Sequence, residues 1–199
     1  MMLIEETTVP DAALPVEEFK THLRLGSGFG ADSLQDAVLV GFLRAAVAAI
    51  EARTSKVLIE RDFTLSVNGW CGADVQNLPV APVTVVTGMA RIDRAGVRSE
   101  VAPDVYWLER DSQRPRVRSV GSALPVVSEA GTGEVAFRAG FGTGWEALPA
   151  DLAQAVMLLA SHYYEFRHET TLSEGCMPFG VTSLIERYRV MRLGGGGAR

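Results

Sequence analysis

What this sequence lacks narrows its chemistry first. It has two cysteines, Cys71 and Cys176, far apart and in no CxxC pair. Neither a disulfide framework nor a thiolate metal site is encoded, and two reduced thiols are expected. It has three histidines and no HExxH. His162 and His168 are six residues apart on one expected helix, which turns them about 120° from each other, so they do not converge on one ion. Cys176 with His22, His162 or His168 could make a thiol–imidazole pair in principle, but no spacing favours it. GxxxxGK[ST], a strand-borne GxGxxG and GxSxG are all missing. The glycine clusters at 26–30 and 140–144 read as turns. The carboxylate pairs Glu5/Glu6 and Glu17/Glu18 fall on an N-terminal arm and a helix start, and neither place makes the desolvated site that acid catalysis needs. No cofactor and no metal are expected, and the chain reads as a non-enzyme.

Other absences concern partners. The most apolar stretch, Ala37 to Ile50, is interrupted by Arg44. It falls short of the roughly 20 residues that span a bilayer, so no membrane contact is expected. The first fifteen residues, MMLIEETTVPDAALP, are acidic where a secretory signal is basic. A chain used inside the cell is expected. There is no basic excess: the net charge is −5, which argues against a general nucleic-acid binder.

What is present is patterning. Pro149 to Glu169 is the organising stretch. Leu152, Ala155, Val156, Leu159, Tyr163 and Phe166 recur at three- and four-residue steps, one stripe of a helix. Pro149 and Asp151 suit its start, Arg167 and His168 its end. A first helix follows Pro15, with Val16, Phe19 and Leu23 as its apolar stripe. A second opens at Asp32, spaced with Gln35 as a capping box, and runs to about Arg53. From Val38 to Ile50 it is apolar nearly all round. Its small residues Ala45, Ala46, Ala48 and Ala49, beside Phe42, permit close approach of a neighbour. Burial within the chain and contact with another copy both account for this surface. A last helix covers VTSLIERYRVMRL, and a glycine-rich tail ends at Arg199.

Between the second and third helices the texture is that of strands. VLIERDFTLSV alternates, with Arg61 the one charge on its apolar side. Asn68-Gly69 and Asp93 to Gly96 are turn signals. Val105–Leu108, Arg116–Val120 and Glu134–Ala139 are further strands. Of Tyr106 and Trp107, one is expected to face the core. The expected class is α+β: a bundle of about four helices with an antiparallel β region inserted between helices 2 and 3. The expected divisions are a flexible arm (1–14), helices 1–2 (15–56), the β region (57–141), helices 3–4 (149–193) and a flexible tail (194–199). Charge is uneven: residues 184–199 hold four arginines against one acid, and residues 1–56 hold eight acids against five bases.

In this order, FKTHLRL, AAVAAIEARTSKVLI, LPVAPV, FGTGWEALPADLAQAVMLLASHYYEFRHE and PFGVTSLIERYRVMRL resemble the head–tail connector, or adaptor, proteins of long-tailed double-stranded DNA phages and of the related gene transfer agents. The resemblance covers about residues 15–193. It implies a ring of twelve subunits beneath a portal protein, assembled in the bacterial cytoplasm and then carried in the particle. The ring would extend the DNA exit channel, with duplex passing through unread, and offer a platform to the stopper on the tail side. It implies portal docking by the C-terminal segment, here Leu184, Arg187, Tyr188, Arg189, Met191, Arg192, Leu193 and Arg199. On this basis, deleting residues 184–199 is expected to abolish portal binding and spare the fold. Phe42, Ala45, Ala46 and Ala49 are the candidate subunit contacts. The rival classes are a nucleic-acid-binding regulator acting through the last arginines and a small enzyme with a non-motif site.

Overall fold

The computed structural model describes residues 1–24, 33–167 and 177–189. Four α-helices are present among them: α1 (Val16–His22), α2 (Ser33–Thr54), α3 (Ala150–Glu165) and α4 (Phe179–Ile185). Eight strands accompany them: β1 (Met2–Glu5), β2 (Arg61–Val67), β3 (Val75–Asn77), β4 (Val83–Ile92), β5 (Arg98–Glu100), β6 (Tyr106–Glu109), β7 (Arg116–Ser119) and β8 (Thr132–Ala139). All their pairings are antiparallel, in a five-stranded sheet ordered β1-β2-β8-β4-β5 and a three-stranded sheet ordered β3-β7-β6. The class is α+β.

Two apolar cores follow from two periodicities. In α3 the three- and four-residue spacing buries Leu152, Ala155, Val156 and Leu159. They pack with Phe19 of α1, Leu39, Leu43, Ala46, Val47 and Ile50 of α2, and Val181 and Ile185 of α4. In β2 the two-residue alternation buries Arg61, Phe63, Leu65 and Val67 on one face. Phe63 stacks on its cross-strand partner Phe137, with ring centres 5.7 Å apart. Val117 of β7 and Tyr106 of β6 close the second core from the smaller sheet.

The buried charge on β2 explains the break in its apolar pattern. Arg61 donates to Glu51 of α2 at 2.7 Å and lies 3.2 Å from Glu5 of β1. Glu51 also accepts the Leu58 N–H at 2.7 Å. One arginine therefore ties the helical layer to two strands. Lys56, also buried, does the same for the small sheet, donating to the Ser112 carbonyl and to Gln113 Oε1 at 2.7 Å.

Three expectations need revision. Residues 1–14 are no loose arm: β1 pairs with β2, Val9 and Leu14 are buried, and Arg44 donates to the Val9 carbonyl and to Asp11. Alternation over four residues is too short a signal to announce a strand whose four side chains are all exposed. The β region is therefore not simply inserted between helices 2 and 3, because β1 precedes every helix yet forms a sheet edge. Finally, α4 ends at Ile185. A 3₁₀ turn over Glu186–Tyr188 follows, and Arg189 is extended. Asn68-Gly69 follows β2 where the chain leaves the five-stranded sheet for β3 of the other.

Candidate assembly surfaces

The C-terminal surface is built on the start of α3. Pro149 precedes the helix, and Asp151 lies in its first turn, where a carboxylate is favoured by the dipole. That carboxylate receives the end of the chain. Tyr188 donates its hydroxyl proton to Asp151 Oδ1 at 2.8 Å, and its ring meets Phe141 edge-on at 6.5 Å. Arg187 pairs with Asp151 Oδ2 at 2.8 Å, donates to the Tyr188 hydroxyl and lies over the Tyr188 ring. Burial pushes the Tyr188 phenol above its ordinary value. Tyr188 is thus a latch that folds the last turn back onto α3.

The predicted docking residues divide accordingly. Tyr188 is buried, and Leu184 is half-buried against the helical core. Arg187 and Arg189 are exposed, with Arg189 paired to Glu186 at 3.1 Å. Met191, Arg192, Leu193 and Arg199 lie outside the described residues, as do His168, Cys176 and the glycine cluster at 26–30.

The predicted subunit-contact residues divide too. Ala46 is fully buried in the helical core, so no other copy reaches it. Ala49 is half-buried, and Phe42 packs edge-on against Tyr164 at 5.9 Å. Ala45 is exposed. It borders a shallow groove of about 320 Å³ between α2 and α3, with Phe42, Tyr163 and Phe166 as its other apolar walls. Sequence spacing could not separate these alanines, because a helix apolar nearly all round does not say which of its sides the same chain covers.

Among the described residues, the remaining features carry no catalytic constellation. A groove of about 520 Å³ beside two of the histidines is open and lined by His22, His162, Ser161 and Glu165. Ser161 spends its hydroxyl on the Met157 carbonyl one turn back. The shifted titrations lie elsewhere and serve the fold. Burial pushes the Glu51 carboxyl up against the pull of Arg61, and burial lowers Lys56. Backbone N–H groups of Arg114 and Gln113 hold Asp111 below its ordinary value. Among the described residues, no three His, Cys, Asp or Glu side chains could hold a metal, and no helix is long and apolar enough to cross a membrane. The fold defines an α+β module with two apolar cores and exposed apolar and charged surfaces.

No protein-family model and no curated protein matches the chain. Solved structures do. A chain from the neck of an empty gene transfer agent particle, computed with C6 symmetry, is 52% identical, with 98% of this chain and 99% of that one covered and a TM-score of 0.89. A chain from the virion of a native gene transfer agent particle is also 52% identical over the same shares, with a TM-score of 0.86. One from a native neck computed with C12 symmetry is 49% identical over the same shares, with a TM-score of 0.85. The chain belongs to the family of head–tail connector proteins from the neck of gene transfer agent particles. It is a structural protein of that neck rather than an enzyme.

Proposed function

We propose that twelve copies of this chain form the adaptor ring beneath the portal, lengthen the DNA exit channel and present the platform on which the stopper docks. The observation that supports this reading is the near-complete, high-identity match to a neck chain computed with twelvefold symmetry. The net charge of −5 is compatible with it, since an acidic ring repels phosphate and lets duplex slide without sticking. Assembly takes place in the bacterial cytoplasm, and the ring then stays in the particle.

Portal docking falls to the end of the chain in this reading, but its boundary moves. Ile185 and Tyr188 belong to the helical core. A deletion starting at Leu184 would therefore damage the fold it was meant to spare. The docking groups become the exposed Arg187 and Arg189 and the segment from 190 to 199. Removing only residues 190–199 is expected to abolish co-purification with the portal while the melting temperature stays put. Normal portal binding by that truncation rules the tail assignment out.

A further inference from the structure

Just ahead of α3 the described residues form a groove of about 530 Å³. The 3₁₀ turn over Asp11–Ala13, which runs into α1, makes one side, and the 3₁₀ turn over Trp145–Ala147, which runs into α3, makes the other. Its apolar walls are Ala12, Ala13, Leu14 and Trp145, and it also carries Glu18 and Glu146. The acids of this region differ in what they hold. Asp11 is paired with Arg44 at 2.5 Å, and Glu17 with Lys20 at 2.8 Å. Glu18 and Glu146 are exposed, and neither has an ion pair or hydrogen bond among the described residues. Two free carboxylates beside a half-buried indole suit a guanidinium, which stacks by its face and binds carboxylates by its edge.

The chain carries such a group a short way off. Tyr188 and Arg187 both bind Asp151, so the last described turn sits on the first turn of α3. Asp151 comes five residues after Glu146, and that much backbone spans at most about 19 Å. Residues 190–199, VMRLGGGGAR, follow directly, and ten residues reach about 33 Å. They hold Arg192 and Arg199 and no acidic side chain, with Met191 and Leu193 flanking Arg192 as apolar groups for apolar walls. A segment tethered this close has an effective concentration in the millimolar range. A second copy supplies the same segment at that level only in concentrated solution.

We infer that residues 190–199 lie in this groove of their own chain, with the Arg192 guanidinium over Trp145 and between Glu18 and Glu146. The contact does not depend on the ring reading. Where the segment serves the portal, as proposed above, the groove is where it rests beforehand, and groove and portal compete for it. Exposed ion pairs are weak, so release of the segment leaves the melting temperature in place.

The test uses the full chain and limited trypsin digestion, with products read by mass spectrometry. Cleavage after Arg192 is compared with cleavage after Arg94, which stands in an exposed turn far along the sequence. Glu18→Gln with Glu146→Gln is expected to raise that ratio about fivefold, as loss of two exposed charge contacts implies. Glu129→Gln, an exposed acid outside the groove, is expected to leave it unchanged. In a Cys71→Ser, Cys176→Ser background, Ala12→Cys with Gly195→Cys is expected to oxidise to a disulfide within one chain, read as a monomer of altered mobility. Val126→Cys with Gly195→Cys is expected not to. A ratio that the two glutamine substitutions leave at the wild-type value would overturn the charge contact. A disulfide that forms only between chains would give the groove to another copy's segment and overturn the assignment to the same chain.

Discussion

Single side chains do more here as ties than as reactive groups. Tyr188 is the clearest case. Tyr188→Phe keeps the ring on Phe141 and loses the bond to Asp151. The expected cost is about 1–2 kcal/mol in a urea titration, with an unchanged slope. Gly140 is constrained more tightly. Its φ is +144°, and a Cβ there would stand 2.3 Å from the Glu60 Cα. Gly140→Ala is expected to cost about 3 kcal/mol or more, or to leave the chain insoluble, because backbone rather than a movable side chain blocks the space. Asp111 gives a pH signature. Its carboxylate accepts the N–H groups of Gln113 at 2.6 Å and Arg114 at 2.7 Å, and this holds its pKa below the ordinary 3.8. A depressed carboxylate stabilises the fold above its unfolded value, and that stability is lost as pH falls through the folded value. Melting of the wild type is therefore expected to fall more steeply below about pH 4 than that of Asp111→Ala.

At the scale of elements, α3 is the one that α2 and α4 lean on, while α1 packs on α2. α3 packs between α2 and α4, and its first turn holds the end of the chain. Leu152→Ala removes a fully buried side chain and is expected to cost about 3 kcal/mol in chemical denaturation. Val126→Ala, at a site 77% exposed, is expected to change stability by less than about 0.5 kcal/mol. Strands were legible in proportion to their length and burial. The alternation of β2 and the turn at Asp93, whose carboxylate accepts the Ala95 and Val97 N–H groups, were readable from residues alone. The three-residue β3 and β5 and the exposed β1 were not, because pairing with a distant neighbour defines them rather than any local pattern.

At the scale of the whole molecule, the two cores are coupled through few charged contacts. Arg61 joins α2 to β2 and β1, and Lys56 joins the end of α2 to the loop before β7. The surfaces left over suit assembly. In the proposed reading, removal of residues 190–199 is expected to separate docking from folding: portal capture vanishes while the mass and melting of the free chain do not change. The candidate surfaces were only half visible from sequence. Phe42 and Ala45 could be named as candidates because small and aromatic residues stand on a helix with more apolar surface than one neighbour covers, and both line the groove between α2 and α3. Ala46 was wrongly grouped with them, one residue and 100° away.

The sequence by itself determined the class of the fold, the stripe of α3, the place of the long strands and, through the order of its motifs, the connector family. Those properties rest on local spacing and residue type, which the chain carries wherever it folds. Only the tertiary structure decided that β1 closes a sheet edge, that Tyr188 is a latch, and that Ala45 faces out while Ala46 faces in. Each of these depends on which distant segment covers a surface. Tyr188 must meet Asp151, 37 residues away, and Met2 must meet Ser66, 64 residues away, before that choice exists, and no local pattern records it.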